Sequence, residues 1–75
     1  MSGVMKAKAE LERMLTSAVQ QLEPRASSVS VSSDGQFAIY RSHGDMYQLR
    51  KLSKTAREFL HEGGDVSVVE SCLFE

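Results

Sequence analysis

Pro24 divides this chain into two hydrophobic rhythms. Before it, Val4, Ala7, Leu11, Leu15, Ala18 and Leu22 recur at the spacing of one helical face, with Met14 and Val19 at its edges. Lys6, Glu10, Arg13, Ser17 and Gln20 fall on the opposite side. Proline cannot extend a helix and biases Glu23 away from helical dihedrals, so the spacing predicts one amphipathic helix over 4–22. From Ser28 the period falls to two. Val29 and Val31 alternate with Ser28, Ser30 and Ser32, as in a strand with one buried face, and 36–41 and 45–52 are also strand-like. A helix stripe and a sheet face that must both leave water imply a two-layer α+β domain.

Two triplets, Ser33-Asp34-Gly35 and Ser42-His43-Gly44, separate the strand-like runs. Three-residue loops with the glycine at positive φ would pair Val31 with Phe37, Val29 with Ile39, Ile39 with Tyr47 and Phe37 with Leu49. One face then collects Val29, Val31, Phe37, Ile39, Tyr47 and Leu49, with Arg41 facing Asp45 at its margin. Two-residue loops would pair Val31 with Ala38 and scatter apolar groups over both faces, so the three-residue register is the expected one. Ser42, His43 and Asp45 have the residue types of a hydrolytic triad. Neighbours on one tight turn diverge, however, and a water-exposed tip weakens electrostatic catalysis, so no catalytic residue is assigned.

Ser53 reads as the N-cap of a second helix over 54–62 with the stripe Ala56, Phe59 and Leu60, and Gly63 or Gly64 suits its left-handed end. Residues 66–74, rich in valine, read as a fourth strand. The expected order is α-β-β-β-α-β in a single domain over 1–75. It comprises an antiparallel three-strand meander, a last strand brought by a crossover parallel to the third, and both helices on one face. The expected core is Leu11, Leu15, Phe37, Ile39, Leu49, Phe59 and Leu60.

A chain of 75 residues buries little surface, so it needs outside support. The single cysteine, Cys72, excludes an internal disulfide and points to a reducing, cytoplasmic setting. His43, His61 and Cys72 have no metal-ligand spacing, no phosphate loop is present, and no cofactor is expected. No segment resembles a secretory leader or a membrane span. Self-association is the remaining support. Charge is uneven: Arg41, Arg50, Lys51, Lys54 and Arg57 against Asp45 give 41–57 a net of +4, and Glu58, Glu62, Asp65, Glu70 and Glu75 give 58–75 a net of -5. In the expected register the bare sheet face shows Tyr40, Met46, Gln48 and Arg50, beside Arg41 and Lys51. Tyr, Met and Arg suit a protein interface. Val69, on a long apolar edge strand, offers a second route to pairing. The expectation is a non-enzymatic protein-binding regulator or adaptor, a homodimer or a module docked on a larger protein. The alternative is a nucleic-acid-binding modulator using Tyr40, Arg41, Arg50, Lys51, Lys54 and Arg57, which the acidic tail disfavours.

Overall fold

A computed structural model describes residues 3–42 and 44–75, and the side chains from Lys6 onward except His43. Helix α1 (Gly3–Leu22) leads into a three-stranded antiparallel meander, β1 (Ser30–Val31), β2 (Phe37–Arg41) and β3 (Tyr47–Lys51), followed by α2 (Lys54–Glu62) and α3 (Val66–Glu70). The order is therefore α-β-β-β-α-α, and the fourth strand expected over 66–74 is absent among the described residues.

The first helix ends where Pro24 requires. Ala7, Leu11, Met14, Leu15 and Val19 are buried, while Leu22, at 75% exposure, has turned out of the stripe. Val4 lies outside the residues whose side chains are described. Two polar side chains on α1 bind the sheet edge. Glu12 accepts the Val31 N–H at 2.8 Å, and Thr16 Oγ1 accepts the Val29 N–H at 2.9 Å while donating its own hydrogen to the Glu12 carbonyl. The spacings match: four residues rise about 6 Å in a helix and two rise about 6.7 Å in a strand, so the helix runs antiparallel to β1.

The hairpin registers differ from the expected ones. Ser30 faces Ile39 and Val31 faces Ala38, a slip of one residue. The reason is the turn. Ser32 N–H donates to the Phe37 carbonyl at 2.8 Å, closing a four-residue loop over 33–36. Inside it, Asp34 Oδ1 accepts from Ser32 Oγ at 2.5 Å and from the Gln36 N–H at 3.1 Å, and Ser32 Oγ accepts from the Phe37 N–H at 3.0 Å. In the second hairpin Ile39 faces Leu49 and Arg41 faces Tyr47, with Ser42 N–H donating to the Met46 carbonyl at 3.1 Å. That loop holds three residues, but they are 43–45 instead of 42–44. Gly35 and Gly44 both sit at φ 75°, as the turn reading requires.

The slip inverts the sheet. Val29, Val31, Ala38, Tyr40 and Leu52 join the helices in the core, and Phe37, Ile39, Tyr47 and Leu49 face away. Of the expected core, Leu11, Leu15, Phe59 and Leu60 are buried, Phe37 and Ile39 are half-buried and Leu49 is exposed.

Helix α2 has the expected bounds, cap and stripe: Ser53 Oγ accepts from the Ala56 N–H at 3.0 Å, Ala56, Phe59 and Leu60 are buried, and Gly63 ends the helix at φ 71°. Beyond Gly64, Asp65 caps α3 by accepting the Ser67 N–H at 2.9 Å. The helical turn brings Val69 and Leu73 into the core and leaves Val68 exposed. The chain then reaches β3 from the other side. Ser53 N–H donates to the Leu73 carbonyl at 2.9 Å, Leu52 bridges Phe74 antiparallel, and Glu75 N–H donates to the Lys51 carbonyl at 3.1 Å. The expected parallel crossover is replaced by a short antiparallel return.

Thr16→Val should leave the Val29 N–H without an acceptor and cost about 1–3 kcal/mol in urea denaturation. Glu12→Gln retains an acceptor oxygen and should cost less. Gly44→Ala meets no atom within 4 Å, so its cost of about 1–2 kcal/mol should come from the positive φ alone.

Candidate functional site

The uncovered face of the sheet is the most distinctive surface. Opposed residues of antiparallel strands share a face, so the pairings place Phe37, Ile39, Arg41, Tyr47, Leu49 and Lys51 together. Tyr47 and Leu49 are 68% and 63% exposed. Arg41 lies over the Tyr47 ring with its guanidinium carbon 5.9 Å from the centroid, and its Nη1 is 3.8 Å from Asp45 Oδ1. At the other end Lys51 Nζ is 3.7 Å from Glu75 Oε1, and Arg57 Nη2 is 3.4 Å from Glu75 Oε2. The face is thus an apolar strip with an ion pair at one end and two pairs sharing the Glu75 carboxylate at the other. Exposed pairs of this kind contribute little to stability, but they mark the rim with both signs of charge.

The seven residues expected to form the partner surface do not lie together. Arg41 and Lys51 are on the bare face, and Met46 is exposed at the turn that leads into β3. Tyr40 and Val69 are core residues, at 4% exposure each, so neither is available to a partner. Gln48 and Arg50 point to the helix-covered side, opposite Tyr40 and Ala38. There Gln48 Nε2 donates to Ser42 Oγ at 3.2 Å, and the Arg50 guanidinium stacks 4.0 Å from the Phe74 ring centroid. The residues missed were Phe37, Ile39, Tyr47 and Leu49. Their alternation was visible, but it was assigned to the core.

Ser42 and Asp45 have separate surroundings. Ser42 is buried and bonded to Gln48, whereas Asp45 is fully exposed beside Arg41; His43 lies outside the described residues. His61 and Cys72 are exposed on different elements, and among the described residues no group of three His, Cys, Asp or Glu side chains is placed to hold a metal ion. No described helix is long and apolar enough to cross a membrane. Asp34 is the one titrating group with a distinct shift among those described. The Ser32 hydroxyl, then the Gln36 N–H, hold its carboxyl below its ordinary range. A lowered folded-state pKa stabilises the fold above the unfolded value, and that contribution disappears as pH falls through the folded one. Asp34→Asn should therefore lower stability at neutral pH, with the gap to the parent closing below about pH 4.

Compared with known proteins, the chain matches no family model, no curated protein and no solved structure.

The two faces differ in what substitution should do. Leu49→Gln should change stability by no more than about 0.5 kcal/mol, as surface changes do, whereas Tyr40→Ala should cost about 3–5 kcal/mol. Urea melts of both variants compare them directly.

Proposed function

We propose that this protein is a small, non-enzymatic, cytoplasmic protein-binding module whose partner docks on the outer face of the sheet. The observation that supports this reading is the strip Phe37, Ile39, Tyr47 and Leu49, exposed or half-exposed, with Arg41 and Lys51 at its rim. Soluble domains rarely leave a contiguous apolar patch open to water unless it meets another surface. Aromatic and Arg content with a charged margin is the usual anatomy of a protein interface.

The nucleic-acid reading is less well supported. Of its six residues, Tyr40 is in the core and Arg50 stacks on Phe74. Arg41, Lys51 and Arg57 each have a carboxylate within 4.0 Å, which offsets the field that a phosphate backbone would meet.

A benzophenone amino acid at position 49 should give a discrete protein adduct on irradiation in the native cell. The same probe at Lys8, an exposed α1 position, should give none. The adduct should resist nuclease and disappear when Tyr47→Asp is added. Equal labelling from both positions, or an adduct removed by nuclease, would overturn the reading.

A further inference from the structure

The two edges of the sheet are unlike. On β1 the outward N–H groups of Val29 and Val31 are accepted by Thr16 and Glu12, so α1 closes that edge. Beside β3 the return of the chain takes the outward Lys51 carbonyl and Ser53 N–H on either side of the Leu52–Phe74 bridge. Leu52 N–H donates to the Gln36 carbonyl and Ser42 N–H to the Met46 carbonyl, so even-numbered residues of β3 turn their backbone groups toward β2. The alternation of an antiparallel ladder then turns the N–H and C=O of Tyr47 and Leu49 outward. The sheet order ends at β3, so these groups lie on an open strand edge that also carries the exposed Tyr47 and Leu49 side chains.

We infer that the partner at this edge is a second copy of the chain. Its β3 would pair antiparallel with the first about a twofold axis through Gln48, joining two three-stranded sheets into one. This rests on the docking face proposed above and names its occupant. The register follows from what is already in place. A twofold centred nearer Leu49 would need the edge of Lys51, which residues 73–75 occupy. Centred on Tyr47, the pairing would set Asp45 against Leu49. Centred on Gln48, Tyr47 of each copy faces Leu49 of the other, and each strand supplies the N–H and C=O groups that the other lacks.

The same register is complementary in charge. It brings the Arg41–Asp45 pair of one copy to the end of the junction where the Lys51–Glu75–Arg57 group of the other stands, so that the two groups of charges come near each other where Glu75 closes the Lys51 edge. Charges then alternate in sign along the junction. Because the interface is isologous, that contact occurs twice. The outer faces become continuous, and the exposed apolar side chains of one copy lie next to those of the other.

Sedimentation equilibrium across micromolar concentrations should show a monomer–dimer equilibrium for the full chain. Residues 48 across the axis form a non-hydrogen-bonded pair, with Cα atoms about 4.5 Å apart. Gln48→Cys in a Cys72→Ser background should therefore form an intermolecular disulfide on mild oxidation, whereas Ser30→Cys, on the opposite strand, should not. Lys51→Glu should weaken the dimer about tenfold, and Asp45→Lys with Lys51→Glu should restore it. A monomer at all concentrations overturns the pairing, as does a disulfide at position 30 as fast as at 48, or a Lys51→Glu dimer of unchanged affinity. Adducts at position 49 to a different protein, with the chain itself monomeric, would overturn the pairing and leave the docking face standing. No adduct and no dimer would overturn both.

Discussion

Two side chains on one helix organise the sheet. Glu12 and Thr16, four residues apart on α1, take the outward N–H groups of Val31 and Val29. Without them α1 would be an amphipathic cylinder free to slide on an apolar face. With them it is fixed along β1, antiparallel, at a spacing common to helix and strand. The consequence is asymmetry. One edge of the sheet is satisfied by side chains that belong to the core-packing helix, and among the described residues the sheet ends at β3 on the other. An isolated sheet with two open edges would be an aggregation template, and one with none would have no strand to offer a partner. Ser53 plays the matching part at the far side. Its hydroxyl caps α2 and donates to the Cys72 carbonyl, while its N–H holds Leu73, so one residue joins the start of a helix to the return of the chain.

The helices were legible because their signals agree with each other. Pro24 stops α1, Ser53 and Gly63 bracket α2, and Ala56, Phe59 and Leu60 fall where a helical stripe puts them. The turns were legible as turns from their glycines. What the sequence does not display is which carbonyl closes each turn. The difference between a three- and a four-residue loop at Ser33 rests on the Ser32–Asp34–Gln36 hydrogen bonds, and a one-residue slip exchanges the faces of β1 relative to β2. Sorting apolar residues onto one face could not detect the slip, because both faces of β2 are apolar: Ala38 and Tyr40 on one, Phe37 and Ile39 on the other. The candidate site inherited that inversion. Tyr40 was placed outside and Leu49 inside, and each belongs on the opposite side.

The C-terminal third carried its own warning. Read with period two, Val66, Val68, Cys72 and Phe74 share a face with Glu70, a charge in an apolar row. In the structure the segment is instead a short helix, Val66–Glu70, with Val69 buried and Glu70 exposed at its end, and Leu73 returns to the core beyond it. Valine favours strands, but the preference spans only about 1 kcal/mol and tertiary contacts override it. Here the override is specific. Asp65 caps a helix immediately after a two-glycine reversal, and the short turn that follows is the length needed to bring Leu73 back to Ser53.

The bare face is costly for so small a domain. Fully burying a Leu, Ile or Phe side chain stabilises a fold by about 1.5–3 kcal/mol, and a whole domain retains only about 5–15 kcal/mol of net stability. A fold in which Phe37, Ile39 and Leu49 faced the helices would gain from them, yet the chain turns Ala38 inward and sends the larger groups out. Ala38 offers little bulk on the helix-covered side, where it is completely buried. The larger side chains then occupy an apolar surface that no described helix covers, adjacent to the open edge of β3. Burial forgone within a monomer is recovered if the same groups are covered on association, and a domain of this size has few other sources of it. The inverted sheet and the open edge are therefore two parts of one arrangement, and the proposed association would cover the groups that the isolated chain leaves out of its core.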